Sequence, residues 1–136
     1  MDNLDSLRRS ENMRRIRSKD TKPELVVRKL VRSLGFTGYR IHRKDIPGKP
    51  DLAWIGRKLA IFMHGCFWHG HNCKKGIRKP KSRIDYWDSK IERNRQRDHT
   101  QQAILESLGW KVLVIWECEL KNNGEVAARI QRFMSM

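Results

Sequence analysis

The sequence contains no run of about 18 apolar residues, which excludes a membrane-spanning helix. Met1–Leu7 carries acids and no apolar stretch, so nothing there reads as a secretory leader, and a cytoplasmic location is expected. Cysteine is scarce: Cys66, Cys73 and Cys118 are the three present. An odd number without a leader argues against a disulfide framework. No repeat or low-complexity segment is visible. Acid is also in short supply, 15 Asp and Glu against 30 Lys and Arg, leaving a net charge of +15. Such an excess attracts polyanions and makes DNA or RNA the default partner, with an anionic membrane or a merely soluble basic surface as the bland alternatives. Ten basic and three acidic residues fall between Lys74 and Arg97, so the excess is concentrated there.

What is present suits one domain: 136 residues can bury a core without staples. Residues 1–20 are polar and basic and read as an arm, with residues 21–136 as a single folded domain. Thr21 stands three residues before Glu24, the capping-box spacing, with Pro23 in the first turn, which predicts a helix running to Gly35. Tyr39–His42 reads as a short strand, and Pro47, Gly48 and Pro50 mark a loop. Strands are predicted over 51–55 and 59–63, joined by a turn at Gly56–Lys58. If Ile55 pairs with Leu59, Asp51 pairs with Met63, their backbones roughly 5 Å apart. A long helix is predicted from Ile84 to Leu108, capped by Ser82 and stopped by Gly109. Its apolar stripe (Ile84, Trp87, Ile91, Ile104, Leu105, Leu108) is broken by Asn94, Arg95 and Asp98. A strand over Lys111–Trp116 and a closing helix containing Val126, Ile130 and Phe133 complete an α/β layer domain with a mixed sheet.

Two kinds of chemistry converge on Phe62–Cys73. Zinc takes four thiolate or imidazole ligands in a tetrahedron. Cys66, His71 and Cys73 lie within eight residues, and Cys118 ends a predicted strand. A closed, structural Cys₃His site follows, with His69 as the rival imidazole and three small buried hydrophobes as the plain alternative. Asp51 opens one strand of the hairpin and His64 closes the other. Mg²⁺ accepts one or two protein oxygens alongside water and phosphate, so Asp51 and the Met63 carbonyl are candidate ligands. His64 and His69 are candidate acid and base, or hydrogen-bonded structural histidines. Glu24 is either a capping-box acid or an acid beside that metal. Phe67, Trp68 and Trp87 are either loop anchors or wedges that enter between base pairs. Lys90, Asn94 and Arg95 are candidate base readers on the long helix.

Several of these motifs recur together in one family. Asn12-Met13-Arg14, Ser18–Glu24, Pro47-Gly-Lys-Pro-Asp51, His64-Gly-Cys-Phe-Trp-His69 and Gly109–Cys118 together resemble the very short patch repair (Vsr) endonucleases, bacterial enzymes that nick DNA at T:G mismatches. The resemblance covers roughly residues 10–120. It implies a restriction-endonuclease-like fold and a structural zinc held by Cys66, His71, Cys73 and Cys118. It also implies Mg²⁺-dependent hydrolysis 5′ to the mismatched thymine left by deamination of 5-methylcytosine. Asp51 corresponds to the metal carboxylate, His69 to the base that activates water and His64 to a second catalytic histidine. Phe67, Trp68 and Trp87 correspond to intercalating aromatics, and the arm with Arg14 and Arg15 to a segment that packs on DNA. Position 63 is Met where the family pattern has Thr, which a backbone carbonyl ligand tolerates. Double-stranded DNA with a T:G mismatch, mismatch-repair proteins, a monomeric state and association with the nucleoid are the corresponding expectations. A restriction-type nuclease acting on matched DNA and a non-catalytic, zinc-stabilised DNA-binding module are the competing readings.

Overall fold

The computed structural model describes residues 21–66, 69, 71, 73 and 84–135. The basic arm with Arg14 and Arg15, the aromatics Phe67 and Trp68, and the expected cap Ser82 lie outside the described residues. Helix α1 spans Lys22–Ser33 and strand β1 Leu52–Trp54. They are followed by β2 over Leu59–His64, α2 over Ile84–Ser107, β3 over Lys111–Trp116 and α3 over Asn123–Met134. The order is the expected one: helix, hairpin, long helix, strand, helix. No helix among the described residues is long and apolar enough to cross a membrane.

The sheet is mixed, with β2 in the centre. β1 pairs antiparallel with β2, and β2 pairs parallel with β3. Its centrality was readable from its composition, since Leu59–Phe62 is apolar throughout and all four residues are buried. Val27 and Val31 of α1, with Val126, Ile130 and Phe133 of α3, share one core cluster with Leu52, Ile61 and Ile115 of the sheet. On the sheet's other side Ala53, Ala60 and Phe62 pack with Leu105 of α2.

Three expectations change. The hairpin register is shifted by one: Leu52 faces Ile61 and Trp54 faces Leu59. The cause is the turn, where Ile55–Arg57 winds into a 3₁₀ turn and Lys58 adopts a left-handed φ of 56°. Asp51 and Met63 are therefore not ladder partners, although they still meet through a side chain. The Thr21–Glu24 capping box does not form, because the Thr21 side chain makes no cap bond and Glu24 turns to Arg28 instead. Tyr39–His42 contributes only one bridge, Arg40 to Ala53.

The stripe on α2 also proves shorter than expected. Leu105 is fully buried, whereas Ile104 and Leu108 are 40% and 52% exposed. A 24-residue helix is about 36 Å long, while a six-residue strand reaches only about 20 Å. The sheet therefore covers only part of the helix.

Candidate active site and metal centre

The parallel β2–β3 pairing brings two strand ends together, with His64 opposite Trp116. Cys66 follows His64 by two residues, and Cys118 follows Trp116 by two. The register alone thus carries both cysteines to one place, where the Cys118 amide donates to Cys66 Sγ at 3.3 Å. The loop after β2 turns back through a His71 N–H bond to the Cys66 carbonyl and a Cys73 N–H bond to the His71 carbonyl, both 2.9 Å. One donor atom each from Cys66, His71, Cys73 and Cys118 then lies within 4.8 Å of the others. His71 Nδ1 is 3.5 Å from Cys118 Sγ. Zinc–ligand bonds of about 2.3 Å to sulfur and about 2.0–2.1 Å to nitrogen give a tetrahedral N···S edge of about 3.6 Å, so these donors fit. Burial pushes the Cys66 thiol up to about 12 and also raises Cys118, the opposite of what a free reactive thiol needs. The ring of His71 is held by stacking on Trp116, centroids 4.1 Å apart.

A second centre lies on the other side of the same strand end. A cavity of about 230 Å³ is lined by Glu24, Asp51, Met63, His64, His69 and Asp98, among others. The Asp51 carboxylate accepts the Met63 N–H at 2.6 Å. Within a strand, a residue's N–H and C=O face the same neighbour, so the Met63 carbonyl faces the Asp51 edge as well. Burial drives the Asp51 carboxyl up to about 7 despite that hydrogen bond, with the Glu24 charge adding to the rise and Arg28 opposing it. An acid so poorly balanced beside a second acid and a carbonyl is an oxygen donor set suited to a hard divalent cation. Gly48 permits the close approach of the Pro47–Pro50 loop: a Cβ there would lie 3.1 Å from both Phe62 and Gln101.

His64 and His69 stack with centroids 4.0 Å apart and planes within 1°. His69 Nδ1 is hydrogen-bonded to the Asp98 carboxylate. His64 is 5% exposed, and burial lowers its pKa to about 4, reinforced by His69. Donor atoms of His64, His69 and Asp98 also lie within 4.8 Å. Proximity alone does not make them a metal site, because imidazole lone pairs lie in the ring plane and two parallel stacked planes do not meet. This arrangement suits proton handling rather than chelation. His69 is not the fourth partner of the cysteines: the donor atoms that gather with theirs are those of His71, and His69 gathers with His64 and Asp98 instead.

A family model described as DNA mismatch endonuclease Vsr matches residues 1–75. The DNA mismatch endonuclease Vsr of Escherichia coli (strain K12) is 38% identical, covering 86% of this chain and 74% of its own. The chain belongs to the Vsr family. The type II nicking enzyme V.XorIIP of Xanthomonas oryzae pv. oryzae is 49% identical over 98% of this chain and 96% of its own. Among solved structures, the catalytic domain of the homing endonuclease I-Bth0305I superposes with a TM-score of 0.56 at 23% identity. That match covers 84% of this chain and 94% of that one, and shows a shared, restriction-endonuclease-like fold.

Against that Vsr background, the structure brings Glu24, Asp51, Met63, His64 and His69 into one cavity and the three cysteines with His71 into a separate cluster. Of the helix residues expected at DNA, Arg95 lines a further cavity together with His64, His69 and Asp98. Trp87 meets Tyr86 edge-on at 5.2 Å, and Lys90 Nζ lies 5.9 Å from each ring centroid. Asn94 accepts from Arg97 at 2.9 Å, and Arg95 is exposed, 3.9 Å from Glu92. Sequence reading missed Asp98 as a member of the site. Its signal was present: an acid interrupting an apolar stripe on the part of α2 that still packs on the sheet.

Proposed function

We propose that this Vsr-family endonuclease nicks double-stranded DNA at a T:G mismatch, hydrolysing the phosphodiester 5′ to the thymine and so opening very short patch repair. Membership of the Vsr family supports the mismatch part of this reading, and one observation carries the hydrolytic part. Two acids and a strand carbonyl line one side of a single cavity, and a histidine pair backed by an acid lines the other. Asp51, the Met63 carbonyl and Glu24 would hold Mg²⁺. When bound, that cation neutralises charge on the scissile phosphate and acidifies water.

The chain's own groups do the rest. Asp98 accepts the Nδ1–H of His69, which leaves Nε2 as the nitrogen that takes the proton from attacking water. The imidazolium formed is stabilised by the Asp98 carboxylate. His64 stays neutral beside it, because burial and the neighbouring charge both disfavour a second proton. It can therefore offer an N–H to the substrate without repelling His69. The Cys66, His71, Cys73 and Cys118 cluster, with no open position, would hold zinc as scaffold. It anchors the loop that carries His69 and, on this reading, Phe67 and Trp68, which with Trp87 enter the base stack. A mismatch stacks poorly, which lowers the cost of that insertion. Lys90, Asn94 and Arg95, with Arg14 and Arg15 of the arm, would contact the duplex, and mismatch-repair proteins are the expected partners.

The test is a nicking assay with Mg²⁺ on a T:G duplex, its T:A control, and Asp51→Ala. Cleavage of the T:G duplex alone, lost in the variant, is expected. Equal cutting of both duplexes would establish a matched-DNA nuclease instead. Binding without cutting would leave a non-catalytic DNA-binding module.

A further inference from the structure

Arg28 is 7% exposed, an unusual place for a guanidinium. It stands one helical turn after Glu24 on α1, on the face that Val27 and Val31 anchor in the core. Its Nη2 lies 3.4 Å from Glu24 Oε2 and 3.1 Å from His42 Nε2. A guanidinium can only donate, so the His42 nitrogen accepts and its proton sits on Nδ1. His42 is held with a left-handed φ of 53°. A non-glycine residue in that region persists only where its surroundings enforce it, and such residues cluster at functional sites. The Arg40–Ala53 bridge brings the segment that carries His42 alongside the start of β1, next to Asp51 in sequence. Both features thus converge on the acid side of the cavity.

We infer that Arg28, braced by His42, is a positioning residue that fixes the Glu24 carboxylate at the cavity so that Glu24 and Asp51 present one preformed divalent-cation site. This rests on the reading of those two acids as the cation's protein partners. The alternative role of Arg28, simple charge compensation, predicts an effect of opposite sign. A buried positive charge beside a cation site repels the cation, so removing charge alone tightens binding. Removing a brace loosens it.

The sign is measurable with Mn²⁺ as probe, by electron paramagnetic resonance on the full-length, zinc-replete protein without DNA. Arg28→Met is expected to weaken Mn²⁺ binding about 10- to 100-fold, the range for groups that orient metal-holding side chains. The half-saturating Mn²⁺ for nicking should rise in step, with KM for DNA and zinc content unchanged. Arg28→Lys, which keeps the charge and reaches one partner, should recover part of the loss. His42→Ala should show a smaller shift of the same sign, and it keeps the test open if Arg28→Met folds poorly. Tighter or unchanged Mn²⁺ binding in Arg28→Met, or in His42→Ala should the former not fold, overturns the inference. Glu24→Gln separates the two levels. If it weakens Mn²⁺ binding while the Arg28 and His42 variants do not, only the brace is wrong. If Glu24→Gln binds Mn²⁺ as wild type does, the cation site is misassigned and the brace falls with it.

Discussion

Two clusters leave the C-terminal end of β2 within ten residues of each other in sequence, and both use histidine. In one, a nitrogen and three sulfurs converge from two strand ends and a tight loop, with an N···S separation of 3.5 Å. In the other, two imidazoles lie parallel and one ends on a carboxylate. The first is arranged for lone pairs to meet at a point, the second for a proton to move along a line. Residue type alone does not distinguish them; the direction of the lone pairs does. The order of the residues along the chain interleaves the two, because the loop after β2 turns back on itself through the His69–Gly65 and His71–Cys66 backbone bonds.

The comparison is broken most completely at the cysteines. A structural zinc contributes roughly 10–16 kcal/mol of apparent binding energy, against a typical total stability of about 5–15 kcal/mol. Cys118→Ser is therefore expected to lose the metal and lower the melting temperature by at least about 10 °C. Metal analysis and thermal unfolding check this together. A variant that melts with wild type would reduce the cluster to three buried thiols and a stacked histidine.

At the other cluster the damage should fall on rate and leave the fold intact. His69→Ala is expected to lower kcat about 10²- to 10⁴-fold, the usual contribution of a positioned base, with zinc content unchanged. Zinc lost in this variant would show that the two clusters are one unit. Asp98→Asn should cost less, about 10- to 100-fold, since a hydrogen bond to a charged group contributes roughly 1.5–3 kcal/mol. Single-turnover nicking rates measure both. An Asp98→Asn enzyme at full speed would make that carboxylate a bystander.

The cysteine cluster was legible before folding because it needs little geometry: two residues past each of two strands is a short count. The cavity was less legible. Asp51 and Met63 were expected to meet as ladder partners, and they meet instead as carboxylate and amide, because a 3₁₀ turn moved the register by one. Asp98 was seen only as a break in an apolar stripe, and what it faces depends on how far α2 runs past the sheet. Arg28 looked like one more positive charge among thirty. Periodicity reports which residues are apolar, and it is silent on a polar residue that is buried because it has a partner.

The smallest effect lies within the cavity itself and reads stability rather than rate. An acid whose pKa is raised by folding binds more protons folded than unfolded. For Asp51, stability therefore falls as pH rises from the unfolded value near 4 to about 7. A histidine whose pKa is lowered by folding binds fewer protons folded than unfolded. For His64, stability therefore rises with pH from about 4 to about 6.5. Across most of that window the two oppose each other, each at about 1 kcal/mol per pH unit. Asp51→Asn should unmask the histidine, so its stability relative to wild type climbs with pH. His64→Gln should unmask the acid, and its relative stability should fall. Urea unfolding without Mg²⁺, from about pH 5 to about pH 6.5, reads both slopes, and taking each variant against wild type cancels the proton release that accompanies zinc binding. Curves parallel to wild type in both variants would mean that neither side chain is desolvated as described. Slopes of opposite sign would mean that burial disfavours the charged form of both groups, leaving a proton on the Asp51 carboxyl that a cation can displace near neutral pH.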